Sequence, residues 1–321
     1  MDLIDADTVH QLLDYPGLID ALETAHREPA PLVGRSLLQP AADGDHGDES
    51  FLVLPAWSPG QFMGVKMATV IPANATRSAG RPTIHAAYQL FDGTTGEPLA
   101  AIDGTALTLR KTAADSGLGC RLLARAGARV LLMVGAGALA SHLVAAHRAA
   151  RPSIDRVMVW NRSRGNRDQV VTALREQGVA AEAVDDLAAA VPQADIISCA
   201  TAATEPLIRG QWLQPGQHLD LVGSFEPGMR ESDDDCVRRA ELFVDLPLST
   251  VESSGDLVQP LADGVISRDD IRGDLFDLCQ GRHPGRESDH AITLFKNGGG
   301  GHLDLFTAAH CHRLAQRSRD D

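Results

Sequence analysis

The sequence predicts an α/β protein, a doubly wound parallel sheet preceded by a mostly antiparallel α+β domain. Three observations predict it. The chain changes character near Thr108, where strand-rich sequence gives way to an Ala-rich helical stretch. From Arg129 onward, apolar segments suited to buried strands alternate with helical ones, the mark of parallel βαβ units. A glycine motif, Gly135-Ala136-Gly137-Ala138-Leu139-Ala140, follows the first of those strands directly and opens the next helix.

The first part reads element by element. Two amphipathic stretches at 5–13 and 16–27 read as helices, and segments 50–55, 62–71 and 84–91 as strands. Asp92-Gly93-Thr94-Thr95-Gly96 turns the chain, so that 98–102 pairs back as a hairpin arm. Two short biased stretches, the acidic 43–49 and the glycine run 298–301, read as loops. In the second part a helix is expected over about 111–126. Strands follow at 130–134, 157–160, 196–199, 219–222 and 242–245. The tail at 302–317 is helical in pattern.

With 321 residues, 44% hydrophobic and 22% charged, the chain is long enough for two separate cores. Domains are expected at 1–112, joined by 302–321, and at 113–301. The net charge of -14 argues against a grip on nucleic acid, which needs an excess of Lys and Arg. No apolar run reaches the roughly 18–20 residues of a membrane helix, and the N-terminus carries no signal-like core, so no membrane partner and a cytoplasmic location are expected. Five scattered cysteines without a C-x-x-C pair indicate neither a disulfide frame nor a metal site.

The glycine motif is the G-x-G-x-x-A form of the dinucleotide fingerprint in a Rossmann-type domain. Gly135 permits the tight turn, Gly137 lets backbone approach a pyrophosphate, and Ala140 keeps the helix near the sheet. Ala136 and Ala138 complete the loop. The second strand, ending at Trp160, runs into Asn161-Arg162-Ser163-Arg164 instead of the acidic residue that binds a free ribose 2′-hydroxyl. Arg162, helped by Arg164 or Arg167, suits a 2′-phosphate, so NADP(H) is favoured; a solvated basic loop beside an NAD(H) site is the other reading.

Three cations are candidates for holding an anion. Lys66 shares a strand face with Gly64 and Ala68, whose small size leaves it room; it reads equally as a snorkelling or edge-strand lysine. Lys111 is expected at the start of the helix, where dipole and charge together attract a carboxylate. Arg35 by itself is an exposed arginine. His85, inside an apolar strand, reads as a hydrogen-bonded core histidine rather than an acid.

Gly64-Val-Lys66, Thr108-Leu-Arg-Lys111-Thr-Ala-Ala114, Gly135-Ala-Gly137, Trp160-Asn-Arg162 and Leu294-Phe-Lys-Asn297 stand in order along nearly the whole chain. Together they resemble the ornithine cyclodeaminase and mu-crystallin family. The resemblance implies a homodimer, with a substrate-binding and dimerisation domain built from the N-terminal part plus the C-terminal helix, and a Rossmann domain between. It implies that Arg35, Lys66 and Lys111 hold a substrate carboxylate, although the family has arginine where this chain has Lys111, which loses the bidentate fork. It also places Thr83, Thr201, Val222 and Asn297 near the cofactor.

A second departure bears on the reaction. Cyclodeaminases carry an aspartate where this chain has Phe225, which cannot relay a proton, and a lysine where it has Met229. Glu226 is one residue off and points elsewhere on an extended segment. The pattern is more similar to the family's imine-reducing members. The expectation is therefore NAD(P)H-dependent reduction of a cyclic imino acid, Δ1-pyrroline-2-carboxylate to L-proline, with the piperideine homologue second. No side chain is assigned as catalytic, because a protonated imine accepts hydride unaided and the protein supplies orientation. An ornithine cyclodeaminase, an amino-acid dehydrogenase of the same fold and a non-catalytic NADPH-binding protein of the mu-crystallin kind stay open.

Overall fold

The structure is a computed structural model that describes residues 1–41, 48–74 and 82–320. Of the acidic loop expected at 43–49, residues 43–47 lie outside the described residues. The chain divides into two units, one of residues 1–25, 29–111 and 300–321 and one of residues 26–28 and 112–299.

In the first unit, β1 (Asp2–Ile4), α1 (Ala6–Leu12) and α2 (Tyr15–His26) precede the short β2 (Leu32–Val33) and β3 (Ser36–Leu38). Then come β4 (Ser50–Ser58), β5 (Phe62–Val70), β6 (Ile84–Asp92) and β7 (Pro98–Asp103). The order across the sheet is β1-β7-β6-β5-β4-β2, with β3 also paired to β4. All pairings are antiparallel except β1 with β7. The hairpin between β6 and β7 closes as its sequence demands: Asp92 accepts bonds from the backbone N–H groups of Thr94 and Thr95, both at 2.8 Å, and Gly96 takes φ +77°. Gly64, Lys66 and Ala68 are buried on one face of β5, which the C-terminal helix Gly301–Asp320 covers together with β4 and β6. His85 is exposed on β6, not in the core as expected: it pairs with Thr69 on the opposite face, which this helix does not cover.

The helix after β7, α3, is Gly104–Leu123. It begins seven residues before the expected start, because Asp103 accepts a hydrogen bond from the N–H of Ala106 at 2.7 Å and caps the first turn. Lys111 thus lies in the helix body, away from the N-terminal dipole. Its proposed attraction for anions must come from its own charge.

The second unit is an eight-stranded, wholly parallel sheet. β8 (Val130–Val134), α4 (Ala140–Ala150), β9 (Arg156–Trp160), α5 (Arg164–Glu176) and β10 (Ala181–Ala183) form one half. β11 (Ile196–Cys199), β12 (His218–Leu221), β13 (Ala240–Val244), β14 (Ile271–Asp274) and β15 (Ile292–Lys296) form the other. The order β10-β9-β8-β11-β12-β15-β13-β14 reverses direction between β8 and β11, the switch point of a doubly wound sheet. The five strands expected from the sequence are present, but β10, β14 and β15 were not foreseen. β10 has three residues, and β14 carries a glycine and two charges, so neither shows an apolar run. Apolar residues such as Leu132, Ile197, Leu219 and Leu294, aligned by the strand register, fill the core on one face of the sheet. Among the described residues no helix is long and apolar enough to cross a membrane.

Candidate functional site

The second unit offers a dinucleotide crevice at the switch point. Gly135, just past β8, adopts φ +113°, and a Cβ there would stand 2.4 Å from the Ala200 carbonyl oxygen. Only glycine fits that approach between the ends of β8 and β11. A Cβ on Gly137 would meet no atom within 4 Å, so backbone there faces open space. The N-cap of α4 is Leu139, which supplies no acceptor to the first N–H groups, and Ala136 and Ala138 lie in the same turn. An uncapped helix start beside a bare glycine backbone fits a pyrophosphate.

Beyond β9, the Asn161 amide donates to the Ser163 carbonyl (2.9 Å) and Ser163 caps α5, so the loop is held by its own residues. Of its arginines, Arg167 is buried and pairs with Asp185 and Asp168, and Arg164 also pairs with Asp185 at 3.2 Å. Both are engaged with carboxylates, Arg167 in a buried position and Arg164 through an exposed pair. Arg162 is exposed and, among the described residues, forms no ion pair.

At the ends of β11 and β12 a buried carboxylate unforeseen in the sequence organises the edge. Glu231 accepts bonds on one oxygen from the backbone N–H (2.7 Å) and hydroxyl (2.8 Å) of Thr201, and on the other from the N–H of Gly223 (2.7 Å). Val222 is buried at the same edge and donates to the Cys199 carbonyl. At the end of β15, Asn297 donates through Nδ2 to the Thr112 carbonyl (2.9 Å) and Ser116 Oγ (3.0 Å). Its Oδ1 is buried with no hydrogen-bond partner among the described residues, which fits an acceptor kept for a bound group. Ser116 donates on to Asp220, which also accepts from Ser198 and meets His147 at 3.1 Å.

Phe225 is 58% exposed and Met229 is buried. The segment between them is a turn closed by the Met229 N–H to the Glu226 carbonyl (3.1 Å), not the extended strand expected, and Glu226 is exposed.

In the first unit, cross-strand register aligns a row of residues. Tyr88 pairs with Lys66, and Lys66 with Leu54. The pairings of Val33 with Ala56 and Ser36 with Val53 bring Arg35 opposite Leu54. Paired residues share a face, so Arg35 lies in the row of Lys66 two strand spacings away, roughly 10 Å. Arg35 is exposed whereas Lys66 is buried, so the structure puts these two on one row without bringing them into contact.

Lys66 Nζ lies 2.9 Å and 3.1 Å from the two carboxylate oxygens of Asp304, and Lys111 Nζ stands 3.7 Å from the same carboxylate. All three are buried, Lys111 at 1% exposure and Asp304 at 0%. Tyr88 completes the cluster. Its ring fills the space left by Gly64, where a Cβ would come within 2.3 Å of the hydroxyl oxygen. That hydroxyl is buried with no hydrogen-bond partner among the described residues. Burial first, and the Asp304 charge second, push its pKa well above the usual phenol value, which keeps it a proton donor. Thr83 also belongs to this unit; it is half-buried, and its carbonyl accepts from the Ile71 N–H at 2.8 Å.

A doubly wound sheet with a bare glycine turn, and a separate sheet that buries Lys66, Lys111 and Asp304 together, define a dinucleotide-type α/β protein. The comparisons place it more closely. The chain belongs to the ornithine cyclodeaminase/mu-crystallin family, whose profile matches residues 6–316. It is 41% identical over 304 residues to the Δ1-pyrroline-2-carboxylate reductase of Paracoccus denitrificans, covering 94% of this chain and 93% of that one. It is 44% identical over 270 residues to the protein SAR DEFICIENT 4 of Arabidopsis thaliana, 82% of each chain. Among solved structures, the Δ1-pyrroline-2-carboxylate reductase of Thermococcus litoralis in complex with NADH and L-proline superposes with a TM-score of 0.91 at 28% identity, over 99% of this chain and 98% of that one.

Proposed function

We propose that the chain is an NAD(P)H-dependent reductase of cyclic 2-imino carboxylates, converting Δ1-pyrroline-2-carboxylate to L-proline and Δ1-piperideine-2-carboxylate to L-pipecolate. The observation that carries this is the Lys66, Asp304 and Lys111 cluster. Two buried ammonium groups, Lys66 and Lys111, converge on the one carboxylate of Asp304, and charged donors of this kind suit a substrate carboxylate. Relatives named for this reaction, and a similar structure holding NADH and L-proline, agree with that ligand class.

The bound nicotinamide supplies the hydride. Gly135 to Ala138 and the start of α4 would cradle the pyrophosphate, with Asn161, Thr201, Val222 and Asn297 contributing to the same cofactor site; Thr83, in the first unit, is read as a cofactor contact in its own right. Arg162 would take a 2′-phosphate, which supports NADPH over NADH. Lys66 and Lys111, with Arg35 at the exposed end of the row, would hold the substrate carboxylate and so fix the C=N carbon, an effect of orientation rather than of proton transfer. Phe225, exposed and without an ionisable atom, supports imine reduction over cyclodeamination. A homodimer is part of the reading: Leu32, Leu38, Phe51, Trp57 and Met67 are exposed on the sheet face opposite Lys66, an apolar surface suited to a second copy of the chain.

The test is the fall in absorbance at 340 nm when purified protein meets NADPH or NADH and freshly generated Δ1-pyrroline-2-carboxylate, beside ornithine with NAD. Oxidation of the dinucleotide with L-proline formed is expected. Ammonia release from ornithine without imine reduction would refute the reading.

A further inference from the structure

We infer that Glu231 is a positioning residue for the cofactor, holding Thr201 and Gly223 at the carboxyl edge of the parallel sheet in the geometry that receives the dinucleotide. This rests on the cofactor reading above. Ligands of doubly wound sheets bind in the crevice at the carboxyl ends of the strands. Thr201 follows β11 and Gly223 follows β12, two strands that are neighbours in the sheet. One carboxylate joins both segments through three short bonds that engage both of its oxygens.

The surrounding structure is shaped around this contact. A Cβ on Gly223 would come within 2.1 Å of the Thr201 carbonyl oxygen and 2.5 Å of Glu231 Oε1, so glycine is required for the approach. Glu231 is itself fixed: its N–H donates to Asp256 Oδ1 (2.8 Å), and its carbonyl accepts from Leu207 and Ile208, both at 2.9 Å. Asp256, on the helix Gly255–Ala262, is in turn 3.4 Å from Lys296 Nζ, which is buried at the end of β15. A buried carboxylate braced this way transmits no slack to the segments it holds.

The charged and titratable groups facing Glu231 are Lys296 from β15, Asp256 from its helix, and the Cys199 thiol from β11, which burial and these carboxylates keep protonated. Burial first raises the Glu231 pKa to about 7; Lys296 opposes the rise, and Asp256 adds to it. A proton on the carboxylate displaces one accepted N–H or O–H bond. Cofactor affinity should therefore weaken as pH falls through about 7, and this dependence should belong to Glu231.

The experiment is fluorescence titration of NADH and NADPH between pH 6 and 9 with wild type, Glu231→Gln and Thr201→Val, alongside hydrogen–deuterium exchange of segments 200–203 and 222–225 in the cofactor-free protein. Glu231→Gln is expected to weaken binding about 10-fold at pH 8, since it sets an amide donor against N–H donors. It should also lose the pH dependence and speed exchange in both segments. Thr201→Val, which keeps the backbone bond, should show a smaller loss with the pH dependence intact. Wild-type affinity and pH profile in Glu231→Gln would overturn the inference alone; if Glu231→Gln does not fold, unchanged affinity in Thr201→Val together with a flat wild-type pH profile overturns it. Absence of dinucleotide binding by the wild type would overturn the cofactor reading and this inference with it.

Discussion

Lys66 and Asp304, 238 residues apart in the chain, meet as a buried ion pair in which the ammonium lies 2.9 Å and 3.1 Å from the two carboxylate oxygens. The pair makes up two members of a three-charge cluster, because Lys111 stands 3.7 Å from the same carboxylate. Its members are therefore not equivalent. Removing Asp304 takes the shared carboxylate from both buried ammonium groups, whereas removing Lys66 leaves Lys111 beside Asp304.

Lys66→Met should accordingly lower kcat/KM for the imino carboxylate by about 100-fold, the loss of one charge-assisted contact, with melting close to wild type. Asp304→Ala should destabilise the fold by about 3–5 kcal/mol, the cost of an uncompensated buried charge. Steady-state kinetics and chemical denaturation of the two variants separate these effects. Equal instability in both would contradict the three-charge description.

The two fingerprint glycines should fail differently. Gly135→Ala forces a side chain into φ +113° and against the Ala200 carbonyl, costing at least about 1–3 kcal/mol of strain, so the fold suffers. Gly137→Ala meets no protein atom and should leave the melting temperature unchanged while weakening dinucleotide binding. Thermal melts with and without NADH distinguish them; a Gly137→Ala protein that binds NADH as wild type does would remove the glycine turn from the cofactor site.

These positions also show how far the sequence could be read. Alternation along 62–70 placed Lys66 on a face with Gly64 and Ala68, and the strand-glycine-helix order located the dinucleotide turn; both are local signals, set by residues adjacent in the chain. The start of α3 is also a local matter: Asp103 caps it just ahead of Gly104, a weak helix former that masks the helix signal there. Asp304 and Glu231 could not be found in this way. Asp304 meets Lys66 across 238 residues and Glu231 meets Thr201 across 30, and nothing in the composition around them marks a carboxylate that folding will bury. The pairing of Arg164 and Arg167 with Asp185 was hidden for the same reason, since it depends on where β10 returns the chain.

On the proposed reading Arg162 is the cation that takes a 2′-phosphate. Arg162→Ala should raise KM for NADPH by about 10- to 100-fold, the value of a charged hydrogen bond, with KM for NADH little changed. Equal effects on the two dinucleotides would show that Arg162 does not read the ribose.

The buried His147 and Asp220 pair should be visible in the pH dependence of stability. Burial alone would lower the His147 pKa, but the hydrogen bond to Asp220, with a contribution from Cys120, carries it up to about 10. A folded pKa above the unfolded value near 6.5 means the contribution is complete below about pH 6.5 and is lost as pH rises toward 10. Denaturation midpoints should fall across that interval in the wild type and less steeply in His147→Gln. Parallel slopes for the two proteins would contradict the charged pair.

Hydride delivery to the imino carbon is read out by isotope transfer. With NADPH or NADH deuterated at C4 and unlabelled Δ1-pyrroline-2-carboxylate, mass spectrometry of the product should show L-proline one mass unit heavier, with the label at C2. Unlabelled proline, or no proline from either dinucleotide deuterated on either face, would contradict the account.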